Sequence, residues 1–170
     1  MDEARSRVVG MGVAAGQRAS VSAVVADADT AISAGSGDVP VLATPRLLAL
    51  AEAAAVAAIA PHLAPGMTSV GTSASLEHRR ASPVGAEVVV EAELTGVDGR
   101  RLMFSFIARE SAHRRGGDGE GARSAAGRAG TARAGGAGGD GEDLVVGAGT
   151  VERVLVDRAA FLARAAGLQP

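Results

Sequence analysis

The chain has 170 residues, the length of one ordinary domain, which is enough to bury a core without disulfides. Its 17 basic and 19 acidic residues leave a net charge of −2, and it has no Trp and no Tyr. This argues against a nucleic-acid binder held by phosphate attraction or by base stacking. With no Cys and no Lys, disulfide frameworks, thiolate metal sites, cysteine nucleophiles and lysine Schiff bases are excluded.

The hydrophobic fraction is 47 %, but 38 of those residues are alanine, so the bulk of any core must come from Val, Leu, Ile, Met and the three Phe. No apolar run approaches the roughly 20 residues of a membrane span. The short apolar patch Val8–Ala15 follows Asp2 and Glu3 and is broken by glycines, unlike a signal peptide. The expectation is a cytoplasmic protein with no membrane and no nucleic-acid partner.

Residues 1–15 read as an N-terminal tail, and a single domain runs from 16 to 166. Gln17–Val25 alternates weakly, which predicts a first strand. Gly35-Ser36-Gly37-Asp38 is a loop. Thr44-Pro45 opens the clearest element: Thr suits an N-cap and Pro the first helical position. Arg46–Ala60 continues as a helix of good formers, ended by Pro61. Apolar residues surround it on nearly every side, so it is expected to be buried all round.

After the Pro65-Gly66 turn come strand-like stretches. Ser69–Arg80 is the first. Ala86–Val97 and Arg101–Arg109 follow, joined by an Asp98-Gly99 hairpin signal, with Leu102, Phe104, Phe106 and Ala108 on one face. Arg114–Asp143 holds 11 glycines, five Arg and five acidic residues, with no Val, Leu, Ile, Met or Phe. Such a segment cannot offset its ordering entropy and is expected to be a disordered, dispensable insertion. Leu144–Val156 is a last strand, and Asp157–Ala166 a short helix. One helix against a run of antiparallel strands predicts an α+β hotdog architecture, a curved sheet wrapped around a central helix.

Three polar residues stand out. Glu52 lies inside the alanine-rich helix, where a carboxylate is either solvated on a narrow face or buried for a reason. Thr44 precedes it by eight residues, broadly on the same side, and is either an N-cap or a functional hydroxyl. His78 ends a strand, where a lone His is structural or chemical. His62 and His113 acquire no role. No His pair has metal-ligand spacing.

In chain order, Val41-Leu42-Ala43-Thr44-Pro45-Arg46-Leu47-Leu48-Ala49-Leu50-Ala51-Glu52, Val70-Gly71-Thr72, Glu77-His78 and Ala81-Ser82-Pro83-Val84-Gly85 resemble the small thioesterase family that includes fluoroacetyl-CoA thioesterase. Val97-Asp98-Gly99-Arg100-Arg101-Leu102 and Val146-Gly147-Ala148-Gly149-Thr150-Val151-Glu152-Arg153 extend the likeness. It covers roughly Gly16–Ala166 without the Gly-rich insertion. The resemblance implies a hotdog homodimer with active sites at the subunit interface. It implies that Thr44, Glu52 and His78 are the catalytic group, and that Gly71 and Arg153 bind substrate.

The expected activity is hydrolysis of a small acyl-CoA thioester without a cofactor. Glu and His would assist attack by water, and the Thr44 hydroxyl would position it. Thr44 attacking directly is the less favoured route, because spacing alone guarantees it no adjacent base. Gly35–Leu42 holds no aromatic residue, and Asp38 falls where the fluoroacetate-resistance enzyme has a lid Phe. This points away from fluoroacetyl selectivity. Two other readings are a non-catalytic acyl-CoA-binding hotdog protein and a hotdog enoyl-CoA hydratase. The hydratase needs an Asp five residues before its His, where this chain has Ser73.

Overall fold

The computed structural model describes residues 12–111 and 144–167. The expected Gly-rich insertion Arg114–Asp143 and the first 11 residues of the expected tail lie outside them. Strands β1 (Arg18–Val24), β2 (Met67–His78), β3 (Glu87–Asp98), β4 (Arg101–Glu110) and β5 (Leu144–Asp157) form one antiparallel sheet in the order β1-β3-β4-β5-β2. Three helices accompany it: α1 (Ala31–Ala34), α2 (Thr44–Ile59) and α3 (Arg158–Ala165). This is the expected hotdog arrangement.

Alternation builds the core. On β3, Val88, Val90, Ala92 and Leu94 are fully buried. On β4, so are Leu102 and Ala108, with Phe104 and Phe106 almost so. These two rows share one face of the sheet because side chains alternate along a strand. Against that face α2 lays Leu47, Leu50, Ala51, Ala54, Ala55, Ala58 and Ile59. The β3–β4 hairpin turns at Gly99, whose φ of 57° lies in the region a glycine adopts without strain.

Two expectations about α2 are corrected. It is not buried all round: Pro45, Ala49, Ala53 and Val56 are exposed, because a single sheet covers only one side of the helix. Nor does Thr44 cap it. The N-cap is Ala43, whose carbonyl accepts from Leu47 N–H at 3.0 Å, and no side chain caps this end. Starting the helix one residue earlier puts Thr44 inside the first turn and leaves its hydroxyl available elsewhere. By length and composition the 19 residues Thr44–His62 would also suffice to cross a membrane, contrary to the expectation that no run comes close.

The segment before α2 is braced from below. A 3₁₀ turn at Asp27–Asp29 brings the Asp29 carboxylate to Arg46 Nε at 2.6 Å, and Asp29 O accepts from Ala43 N–H at 2.9 Å. Leu42 N–H donates to Ser82 O at 2.9 Å. These bonds fix the start of α2 close to the end of β2.

Candidate active site

That placement brings together two residues 34 apart in sequence. Thr44 Oγ1 lies 3.0 Å from His78 Nδ1. His78 is the last residue of β2, opposite Gly147 on β5. A Cβ at 147 would press on the Glu77 carbonyl oxygen and on a Leu47 methyl, so glycine here lets β5 sit close beneath the histidine. His78 is half-buried, and Thr44 is exposed at the helix start. Burial lowers the His78 pKa below histidine's ordinary value, with a backbone interaction at Arg80 opposing part of the shift. The imidazole is therefore held toward its neutral form, the form that accepts a proton. His78 Nε2 is buried, with no hydrogen-bond partner among the described residues.

Glu52 forms a second cluster. Its Oε1 is 3.2 Å from Arg153 Nη1. Arg153 Nε donates to Ser69 Oγ at 2.9 Å, and its Nη2 donates to Ser69 O at 3.0 Å. The Arg153 side chain is only 8 % exposed, while that of Glu52 is 42 % exposed. A buried guanidinium needs its donors satisfied, and Ser69 and Glu52 supply acceptors. Burial lowers the Arg153 pKa, and Glu52 opposes that shift. Gly71 completes the group: a Cβ there would collide with Glu52 Oε1. A bulge after Gly71 leaves Thr72 outside the β2–β5 register, and the Thr72 hydroxyl donates to Glu152 O at 3.2 Å.

The structure thus joins Thr44 to His78, and Glu52 to Arg153 and Gly71. It does not join the two groups within the chain. Eight residues of α-helix separate Thr44 from Glu52 by about 12 Å along the axis. Arg153, read from the sequence as a substrate contact, holds the Glu52 carboxylate. Ser69 escaped sequence reasoning altogether, because an isolated serine on a strand carries no pattern. Its role shows only through the two bonds that Arg153 donates to it.

Thr44 and His78 lie on the wall of a pocket of about 310 Å³. Ala31, Gly37, Val39 and Leu42 form its side nearest α1, and Arg79 and Arg80 continue the wall beyond His78. Arg79 is tied to Glu77 at 2.6 Å. Among the described residues, no group of three or more His, Asp or Glu side chains is placed to hold a metal ion.

A helix-start hydroxyl thus pairs with a histidine beside a pocket, and a clamped carboxylate stands further along the same helix. The model of the fluoroacetyl-CoA-specific thioesterase family matches residues 25–125. The chain belongs to that family. Within the fluoroacetyl-CoA-specific thioesterase family, the curated fluoroacetyl-CoA thioesterase of Streptantibioticus cattleyicolor is 44 % identical over 70 residues, which is 41 % of this chain and 50 % of the relative. The match thus spans half the length of that relative. A solved structure of fluoroacetyl-CoA thioesterase is 30 % identical, covers 94 % of this chain and 99 % of its own, and superposes with a TM-score of 0.67. A thioesterase superfamily member from Thermus thermophilus, 21 % identical, covers 92 % of this chain and 93 % of its own with a TM-score of 0.68. At that identity it speaks for the shared hotdog fold.

Proposed function

We propose that the protein is an acyl-CoA thioesterase acting as a homodimer, with each active site shared between two protomers. The observation that carries this reading is the 3.0 Å contact between Thr44 Oγ1 and His78 Nδ1 on the pocket wall. Family membership supplies the reaction class.

The exposed edge of β2 supports the shared site. This strand is an edge of the sheet, and its middle, Gly71–Ser75, is exposed on both faces. An uncovered 12-residue edge is a template for pairing with another strand. About a two-fold axis, antiparallel strands pair residues whose numbers have a constant sum. An axis between Ala74 and Ser75 would set Gly71 opposite the partner's His78. Glu52, which overlies Gly71, would then approach the partner's Thr44–His78 pair.

Chemistry at such a site balances simply. With the ring proton on Nε2, Nδ1 is the nitrogen that accepts from the Thr44 hydroxyl. Thr44 Oγ1 in turn accepts a hydrogen bond from the attacking water. As water oxygen bonds to the thioester carbonyl carbon, its proton passes to Thr44 Oγ1 and the Thr44 proton passes to Nδ1. Glu52, fixed by Arg153, accepts the water's other hydrogen and orients it. The carbon–sulfur bond then breaks. The imidazolium returns its proton to the leaving sulfur, giving a free thiol and a carboxylic acid. The N–H groups of the first turn of α2 that make no intrahelical bond would donate to the carbonyl oxygen as charge develops there.

The test is release of free thiol from a panel of acyl-CoAs by the purified protein. Tight acyl-CoA binding without thiol release would make it a binding protein instead. A burst of one thiol per site with an acyl group trapped on Thr44 would replace water by Thr44 as the attacking oxygen, a route that its contact with His78 also equips.

A further inference from the structure

We propose that the pocket beside Thr44 and His78 takes a medium-length aliphatic acyl chain, roughly four to eight carbons, rather than a two-carbon group. The proposal rests on the thioesterase reading above and adds the substrate class.

Size comes first. A volume of about 310 Å³, divided by the roughly 30 Å³ that one water-sized group occupies in a liquid, holds about ten heavy atoms. A two-carbon acyl group would leave more than half of it unfilled. Even after an allowance for the open mouth, there is room for a chain several methylenes longer.

The lining agrees. The side formed by α1 and the loop after it presents Ala31, Val39, Val41 and Leu42 with Ser36 among them, Gly37 contributes no side chain, and the polar Arg79 and Arg80 stand on the wall beyond His78. No aromatic ring narrows the pocket. Val39 is 49 % exposed, apolar surface that an aliphatic chain entering the pocket would cover. Burying one methylene strengthens binding by roughly fourfold. A chain that follows this wall should gain that factor at each added carbon until the pocket is full. The wall is also firmly placed, since Ala31 N–H donates to Val41 O at 2.8 Å and Thr30 pairs with Leu42.

Val39 is the residue to vary, because it lines the pocket, is half exposed and lies outside the proposed chemistry. The experiment measures kcat and KM on acetyl-, butyryl-, hexanoyl- and octanoyl-CoA for the native protein, Val39→Phe and Val39→Ala. Binding of the matching non-hydrolysable thioether analogues is measured in parallel by calorimetry. For the native protein, affinity and 1/KM should rise roughly fourfold per methylene to an optimum between butyryl and octanoyl. Val39→Phe should lower kcat/KM for hexanoyl-CoA about tenfold or more while changing acetyl-CoA less than about twofold. Val39→Ala should move the optimum toward the longer chain.

Equal or better use of acetyl- or fluoroacetyl-CoA than of hexanoyl-CoA would overturn the proposal. So would a chain-length profile that Val39→Phe leaves unchanged in a variant that melts like the native protein. If no acyl-CoA is hydrolysed but the thioethers bind with this length dependence, the pocket assignment stands and the catalytic reading fails. If hydrolysis occurs with no length dependence in either measurement, the catalytic reading stands and this inference fails.

Discussion

At the scale of single residues, the decisive feature is a hydroxyl released from capping. Thr44 would be an ordinary N-cap if the helix began one residue later. Because Ala43 takes that place, the hydroxyl is free to meet His78. The resemblance singled out Thr44, Glu52 and His78, while helical spacing alone offered Thr44 as an N-cap, since a helix boundary can shift by one residue without altering the pattern. Replacing Glu52→Gln or His78→Ala should lower thioester hydrolysis by roughly 10²-fold or more while leaving the fold intact, as measured by kcat/KM together with thermal melting. Silence in both variants would move the chemistry elsewhere.

The His78 environment also sets a pH dependence. Its pKa lies below histidine's ordinary 6.5, and the neutral ring is the working form. The acid limb of kcat/KM should therefore fall below pH 6.5, and His78→Ala should abolish that limb in the residual activity. The sign for stability follows from the same shift. Below pH 6.5 the unfolded chain binds a proton that the folded chain resists, so stability contributed by this site is present above 6.5 and declines as pH falls from there toward the lower folded value. Ser69 offers a finer probe. Ser69→Ala removes the acceptor of Arg153 Nε, so Glu52 loses a fixed support. The expected result is a several-fold fall in kcat with KM little changed. An unchanged kcat would show that Ser69 merely satisfies a buried arginine.

At the scale of elements, all five strands and the central helix were legible to within a few residues, because each carries either clean alternation or strong helix formers. Phe104 and Phe106 fall on the buried face of β4 as the period-two pattern requires. The 3₁₀ turn Asp27–Asp29 and the one-turn helix Ala31–Ala34 were not legible, since segments of three or four residues are too short to show a period. The one-sided burial of α2 was also hidden. Alanine reads as apolar wherever it stands, and the sequence cannot say which alanines a single sheet will cover. The glycines of β5 are a structural requirement that pattern reading passes over. A Cβ at Gly149 would run into the Ser75 carbonyl oxygen of β2 and press on Phe106. Gly149→Ala should therefore destabilise the protein by about 1–3 kcal/mol or more through overpacking, seen as a drop in Tm of roughly 2–4 °C per kcal/mol at this chain length. Val145→Ala, at a 37 % exposed position on the same strand, should stay within about 0.5 kcal/mol.

At the scale of the whole molecule, the fold holds two clusters apart, Thr44 with His78 and Glu52 with Arg153, separated along α2 by about 12 Å. In the proposed dimer the exposed edge of β2 and the exposed face of α2 are where a second copy would join them, which predicts more than a dimeric mass by light scattering. If each site takes Glu52 from one protomer and His78 from the other, the two single variants should complement each other. A Glu52→Gln protomer retains His78, and a His78→Ala protomer retains Glu52. A mixed dimer of the two therefore contains one site with both residues intact and one with neither. Unfolding and refolding an equimolar mixture should form mixed dimers as about half of the total, and so restore about one quarter of native activity. Each variant refolded alone should remain at its low residual rate. Were Glu52 and His78 to serve the same protomer's site, every site in the mixture would lack one of them and no activity would return. The recovered rate therefore distinguishes a shared site from a self-contained one in a single measurement.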